Sequence, residues 1–183
     1  MSYKTILVHC DASRTVASRL AAAAEVAQRF EARLVGLHAR EPFEVVSFVD
    51  GGMPIGALME AYKSGCDAAE KVARTAYDTA TKGRNFASEW RVTEAFSDDA
   101  LAVNARYADL SVMVRPSENW QGDLRTKMFE GVLFGAGRPV LLMPPEWRKG
   151  AIGRNIVIAW NGKREAARAL ARRARRAGSR CGQ

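Results

Sequence analysis

The feature that most constrains the fold of this chain is a regular alternation between short apolar runs and longer segments with helical spacing. Five apolar runs, several of them rich in β-branched residues, occur in residues 3–145 and are typical of buried strands. The segments between them carry apolar residues at spacings of three and four, which predicts helices. This alternation predicts an α/β fold, with a five-stranded parallel sheet and helices on both of its faces.

The predicted elements follow one another without repeats inside residues 3–145. The strands are predicted at residues 5–10, 33–39, 88–95, 109–115 and 139–145. The helices are predicted at residues 16–30, 58–80, 101–108 and 129–133, with Ser13 directly before the pattern of the first helix and residues 97–100 as the cap of the third. Glycines at 83, 135 and 137 indicate where two of them end. Segments 41–56 and 116–125 are rich in polar, Pro or Gly residues and are predicted to be loops.

Ligands of such folds bind beyond the carboxyl ends of the strands, near the point where the strand order reverses. Three predicted strand ends therefore mark the candidate site, namely Asp11, His38–Ala39 and Arg115–Pro116. Asp11 has two interpretations that the sequence leaves equal, a ligand-binding carboxylate or a turn-capping residue.

Charge is distributed unevenly along the chain. The net charge is +8, but residues 163–183 hold eight Lys and Arg against one Glu, which leaves +1 for residues 1–162. A nucleic-acid-binding domain presents basic residues over a folded face, so we do not expect a nucleic-acid partner. The chain also lacks an apolar run of about 18–20 residues and an amino-terminal signal segment, which predicts a cytoplasmic protein without a membrane partner.

Metal and disulfide chemistry is not expected either. The three cysteines, Cys10, Cys66 and Cys181, form no Cys-x-x-Cys pair, and the two histidines lie in predicted strands. Motifs of a P-loop, a nucleophile elbow or a dinucleotide fold are also absent. No catalytic residue is therefore assigned, and no metal site.

The carboxyl-terminal region resembles the start of the chain. Residues 155–162 read as another strand, and an offset of 150 aligns Ile6 with Ile156 and Leu20 with Leu170. We interpret residues 1–147 as one domain, 148–154 as a linker and 155–170 as the start of an incomplete second copy. Residues 171–183 are basic, without an apolar face, and are predicted to be disordered. They are either the product of a truncated or frameshifted second copy, which we favour, or a basic interaction tail.

Three segments together resemble universal stress protein domains. They are Ile6-Leu7-Val8-His9-Cys10-Asp11-Ala12-Ser13, then Tyr107-Ala108-Asp109-Leu110-Ser111-Val112-Met113-Val114, and finally Glu130, Val132 and Leu133 with Arg138-Pro139-Val140-Leu141-Leu142. The resemblance covers residues 3–145, with 154–170 as the start of a tandem repeat. It implies an adenine-nucleotide α-hydrolase-like fold, a role in the stress response, and ATP or another adenine nucleotide as ligand in some members.

The resemblance also implies which residues line the nucleotide cleft. Asp11, Ala39, Arg115, Thr126 and Lys127 fall at those positions. The glycines that wrap phosphates in the ATP-binding members are missing, because residues 115–122 contain no Gly-x-x-Gly and the later Gly-Ser pair falls on Thr126-Lys127. The cleft is therefore expected to be degenerate. Arg115, Arg125 and Lys127 form either a small anion pocket or a solvated basic loop, and we favour the latter.

Two functions follow from this reading. The first is a non-catalytic stress-response binding or interaction protein without a firm cofactor. The second is an adenine-nucleotide-binding protein with weak phosphohydrolase activity. A third, nucleic-acid binding through residues 171–183, has little support.

The last strand is expected to form a dimer contact. Members of the family place this strand at the edge of the sheet. Its residues Val140, Leu141, Leu142 and Met143 are apolar and carry no charge that would block strand addition. A homodimer formed through this edge is therefore predicted.

Overall fold

The fold is described from a computed structural model. It describes residues 3–43, 55–115, 124–145, 147, 150, 152–153, 156–157 and 159–167, and for positions 124 and 125 the backbone alone. The chain divides into two compact units, one of residues 3–149 and one that contains residues 150–183. The larger unit contains all nine helices and strands assigned below.

Strands and helices alternate through the larger unit, as the sequence predicts. The strands are β1 (Thr5–His9), β2 (Arg33–Arg40), β3 (Ser88–Glu94), β4 (Leu110–Val114) and β5 (Val140–Met143). The helices are α1 (Val16–Phe30), α2 (Ile55–Thr81), α3 (Ser97–Arg106) and α4 (Leu124–Gly135).

The sheet is parallel throughout and its strand order is β3-β2-β1-β4-β5. β1 lies in the centre, where Ile6 is in register with Leu34 of β2 and Leu110 of β4. All three residues are buried, since a central parallel strand is covered on both faces. The predicted fold class, five parallel strands with helices, is confirmed.

The two helix pairs cover the sheet separately. α1 packs against α2, and α3 packs against α4. Leu7 and Leu37 belong to the hydrophobic cluster that Leu101 of α3 and Val132 of α4 complete. Residues before and after Leu7 point to the opposite face, because side chains alternate along a strand. β1 therefore contributes to the core on both sides of the sheet.

The helix ends differ in places from the predictions. α2 begins at Ile55 and α4 at Leu124, so both helices extend into segments predicted to be loops. Ser97 was expected to cap α3, but it is the first helical residue, and its Oγ donates to Oε1 of Glu41 at 2.8 Å instead. Gly83 and Gly137 have φ values of 70° and 62°, so both adopt the left-handed conformation that ends helices.

In the smaller unit, residues 155–162 are predicted to form a strand, but those of them that the structure describes do not form one. Ile156, Val157, Ala159 and Trp160 carry no strand assignment, and Val157 is 97% exposed. A single strand without a neighbour has no partner for its backbone hydrogen bonds. A helical turn does follow at residues 164–167. The second-copy interpretation of residues 155–170 stays a prediction.

Several other predictions concern residues beyond those described. The basic segment 171–183, the loop residues 44–54 and 116–123, and the side chain of Arg125 all belong to this group. Within the described part of the chain, none of the helices combines the length and hydropathy of a membrane span.

Candidate functional site

A cleft lies at the carboxyl ends of β1 and β4, the two neighbouring strands at which the chain order of the sheet reverses. We call it the switch-point cleft. Its volume is about 30 Å³, room for about one water molecule, and it opens to solvent. The residues that line it are His9, Asp11, Thr15, Arg19, Met113, Val114, Arg115 and Met128.

The carboxylate of Asp11 is held by the turn that joins β1 to α1. Its Oδ1 accepts hydrogen bonds from the Ser13 backbone N–H at 3.2 Å and from the Ser13 hydroxyl at 2.6 Å. The Ser13 hydroxyl in turn lies 3.1 Å from that of Thr15, the residue that precedes α1. Asp11 therefore stabilises a turn and lines the cleft, so both interpretations of this residue apply.

Arg19 connects the first turns of α1 to the end of β1. Its guanidinium is buried, with Nε donating to the His9 carbonyl at 2.8 Å and Nη2 donating to Asp11 Oδ1 at 2.7 Å. Side chains of a helix lean toward its amino terminus, so a residue early in α1 reaches back to the preceding strand. The planar guanidinium donates to both acceptors at once, so it holds the His9 carbonyl and the Asp11 carboxylate in fixed positions.

This arrangement controls the ionisation of Asp11. Burial raises the pKa of the carboxyl, but the nearby charges of Arg19 and His9 and the hydrogen bonds from Ser13 and Arg19 outweigh burial and hold the pKa far below its usual range. Asp11 is thus a carboxylate at every physiological pH. A carboxylate of such low basicity is a poor general base.

The opposite wall of the cleft is apolar with one basic residue at its rim. Met113 of β4 and Met128 of α4 are buried, and methionine adapts its shape to irregular surfaces. Arg115 is exposed just past β4, and its backbone N–H donates to the Met143 carbonyl at 2.8 Å. The cleft therefore offers a carboxylate, an apolar wall and a cation to a bound molecule.

The structure brings together two of the five predicted cleft residues. Asp11 and Arg115 both line the switch-point cleft. Ala39 is partly buried against the core, and it does not line the cleft as described. Thr126 is buried in α4 and Lys127 is exposed there, and both directly precede the lining residue Met128.

Sequence reasoning missed six lining residues, namely His9, Thr15, Arg19, Met113, Val114 and Met128. A signal for Arg19 was present, since it follows the buried Val16 by three positions and so lies on the apolar face of the helix. An arginine at such a position has to find partners inside the protein. No comparable signal separates the two methionines from ordinary core residues.

A larger open groove, of about 750 Å³, lies between α1 and α2. Among the described residues, alanines and threonines line most of it, including Ala21, Thr75 and Ala76, and Lys71 is the charged lining residue. None of these described lining residues is a buried polar group that would orient a ligand. The switch-point cleft is therefore the better candidate site.

The described residues do not contain a cluster of three or more metal-ligating side chains. Among the described residues, the groups that contact Asp11 stabilise its negative charge.

Comparisons with known proteins identify the fold. No family profile matches the chain, and no curated protein matches it significantly. Among solved structures, a protein from the universal stress protein family of Burkholderia pseudomallei is 27% identical, with a TM-score of 0.55 over 78% of this chain and 96% of that one. Universal stress protein UspA from Lactobacillus plantarum is 18% identical, with a TM-score of 0.58 over 78% and 99%.

A third similar structure is a universal stress protein in complex with cAMP, at 19% identity and a TM-score of 0.50 over 80% of this chain and 100% of that chain. These similarities concern the sheet and helices described above. The architecture of this chain is that of universal stress proteins, and members of that family are its structural neighbours.

Proposed function

We propose that this chain is a stress-response binding protein of the universal stress protein type, whose switch-point cleft takes an adenine nucleotide without transforming it. Asp11 would contact the nucleoside end and Arg115 the phosphate end. Ala39, Thr126 and Lys127 remain candidate contacts at the periphery of the bound molecule. We further propose that the protein acts in the cytoplasm.

The observation that carries the proposal is the ionised Asp11 carboxylate in a cleft at the reversal point of the sheet. This position is where α/β sheets of this kind bind ligands. The carboxylate accepts donor groups, the methionine wall suits a flat apolar base, and Arg115 suits an anion. The similar structure that contains cAMP supports an adenine nucleotide as the ligand class.

Absence of catalysis is part of the proposal. Hydrolysis of a phosphate needs a base or a metal ion that activates water. The low basicity of Asp11, together with the missing phosphate-wrapping glycines in residues 115–122, argues against that role. We therefore expect weak affinity that derives mainly from the nucleoside end, and we regard the cleft as degenerate toward triphosphates.

Calorimetric titration with ATP and with AMP tests this proposal. We expect weak binding of both with similar affinity, and loss of both in Asp11→Ala. Phosphate release from ATP should not exceed the rate in buffer. A clear preference for ATP at micromolar affinity, or phosphate release that disappears in Asp11→Ala, would show that the cleft handles triphosphates and that the proposal is wrong.

Self-association through β5 is a further part of the proposal. β5 lies at one end of the sheet, so one side of its backbone has no partner strand among the described residues. Leu142 is 38% exposed, and Val140 and Leu141 are half-buried. Addition of the same strand from a second copy would satisfy this edge and give a two-fold symmetric homodimer.

A further inference from the structure

The two oxygens of the Asp11 carboxylate have different surroundings. Oδ1 accepts three hydrogen bonds, two from Ser13 and one from Arg19. Oδ2 accepts none from any residue in the described part of the chain. Nδ1 of His9 lies 3.9 Å from Oδ2, which is beyond hydrogen-bonding distance.

The asymmetry is fixed because Arg19 is itself fixed. The Arg19 side chain is 5% exposed, and Nε is bonded to the His9 carbonyl of β1, so the guanidinium has little freedom to turn. Nη2 therefore contacts one defined oxygen of the carboxylate, Oδ1, which also accepts hydrogen bonds from Ser13. Rotation of the Asp11 carboxylate would break all three contacts at Oδ1.

An ionised oxygen that accepts no hydrogen bond from the described residues favours a ligand that can donate one. The Asp11 side chain is 28% exposed and lines the cleft, while its Oδ1 is engaged by Ser13 and Arg19. A hydrogen bond from a hydroxyl or amino group to an ionised carboxylate is about twice as strong as one between neutral groups. An anion that lacks a hydrogen-bond donor forms no favourable contact with this oxygen, because both groups are negatively charged.

We propose that Arg19 is a positioning residue of the ligand site, which holds Asp11 so that Oδ2 alone receives a hydrogen bond from the ligand. The ligand class is a small molecule with a hydroxyl or amino donor, such as the ribose hydroxyls or the base amino group of an adenine nucleotide. The inference rests on the proposed function of the cleft and assigns a role to a residue outside the five predicted contacts.

Among the described residues, the charged or titratable groups that line the cleft with Asp11 are His9 on β1, Arg19 on α1 and Arg115 after β4, while α4 contributes the uncharged Met128. Cys10 follows His9 and is buried. Arg19 is the one among them that contacts the carboxylate within hydrogen-bonding distance, so its removal isolates the positioning effect.

The first experiment follows the Asp11 carboxyl carbon by NMR as the pH is lowered, in the wild type, Arg19→Met and Arg19→Lys. We expect no titration of Asp11 in the wild type above about pH 3, and a titration displaced upward in Arg19→Met because burial is then less opposed. Arg19→Lys keeps the positive charge but loses the planar guanidinium with its paired N–H donors. The midpoint of the Asp11 titration in Arg19→Lys should therefore lie between those of the wild type and Arg19→Met. An Asp11 midpoint in Arg19→Met equal to that of the wild type would overturn the positioning role.

The second experiment measures AMP affinity as a function of pH. The wild type should bind AMP equally from about pH 8 to about pH 5, because Asp11 stays ionised over that range. Arg19→Met should bind AMP about tenfold or more weakly and lose further affinity toward acid. Weaker binding in Arg19→Met with an unchanged pH profile would indicate a merely structural role. If Arg19→Met does not fold, Arg19→Lys supplies the same comparison.

The third experiment identifies the donor. Dideoxy-AMP lacks the ribose hydroxyls and IMP lacks the amino group, so the analogue that loses about tenfold or more in affinity names the group that meets Oδ2. Equal affinity for AMP, dideoxy-AMP and IMP would overturn the donor requirement. Failure of the wild type to bind AMP at all would refute the proposed function and the ligand part of this inference, whereas the carboxyl titration still decides the positioning role.

Discussion

The ring of Tyr77 lies so close to Gly36 that a β-carbon at that position would fall 2.5 Å from Cδ2 and 2.6 Å from Cε2. The ring belongs to α2 and is fully buried, and its hydroxyl lies 2.8 Å from the Leu34 carbonyl and 2.9 Å from the Glu89 carbonyl. Gly36 thus allows α2 to dock over β2 and β3. The contact explains why a glycine occupies the middle of a buried strand.

Gly36→Ala should destabilise the protein by about 1–3 kcal/mol, because neither the buried ring nor the strand can move away without cost. Urea denaturation measures the free energy of unfolding. Gly65→Ala is the matched control, since a β-carbon there meets nothing within 4 Å, and it should stabilise α2 by about 0.5–1 kcal/mol. Equal stability of Gly36→Ala and wild type would refute the close contact.

The two described cysteines should differ sharply in reactivity. Burial raises the pKa of the Cys10 thiol to about 12, despite the opposing charge of Arg19, so almost no thiolate forms at neutral pH. Cys66 is half-buried on α2. In a Cys181→Ser background, a thiol reagent should label Cys66 within minutes and Cys10 only after unfolding. Mass spectrometry of the labelled peptides checks this, and rapid labelling of Cys10 in the native protein would contradict the burial of this residue at the end of β1.

The Asp11–Arg19 pair should make stability depend on acid pH. The folded-state pKa of Asp11 is lowered, so its contribution is fully present above the usual carboxyl pKa of about 4 and is lost as pH falls toward the lower folded value. Asp11→Asn should therefore be less stable than wild type at about pH 7, with a difference that shrinks at about pH 3. Denaturation curves at both pH values provide the measurement.

Asp99→Asn controls for the change of side chain. Asp99 is exposed in the first turn of α3, and it forms no ion pair among the described residues. Its effect on stability should be small at both pH values. A difference between Asp11→Asn and wild type that stays constant with pH would mean that the ionised pair contributes no stability.

The homodimer prediction is tested at Leu142. Leu142→Lys places a charge at the exposed edge of β5 and should shift a dimer to monomer in analytical ultracentrifugation. Val92→Lys on β3, at the other end of the sheet and similarly exposed, should leave the assembly unchanged. A wild type that is monomeric at high concentration, or a dimer that both variants leave intact, would rule out this interface.

The sequence predicts the sheet well because its strands are continuous apolar runs. β1 and β4 are buried on both faces, so their residues form uninterrupted runs that have no competing helical reading. Helix starts were less predictable, as α2 and α4 show, since the first turn of a helix contains few of the apolar positions on which periodicity depends. Strand order within a sheet likewise comes from tertiary packing and not from local pattern.

The candidate site was predictable only where it coincides with strand ends. Asp11 and Arg115 follow β1 and β4 directly, so the general rule for parallel sheets locates them. Arg19 enters the site through a long side chain that reaches back from α1, and Met128 through the packing of α4. Such contacts depend on distances between elements, which one-dimensional spacing does not specify.

The most direct test of the central claim, that the switch-point cleft binds the ligand through Asp11, is an NMR titration of the labelled protein with AMP. We expect saturable shifts of the backbone amides of Asp11, Ser13 and Arg115, no shifts in the groove between α1 and α2 around Ala76, and no response in Asp11→Asn. Saturable shifts confined to the α1–α2 groove, or the same response of the cleft in Asp11→Asn, would contradict it.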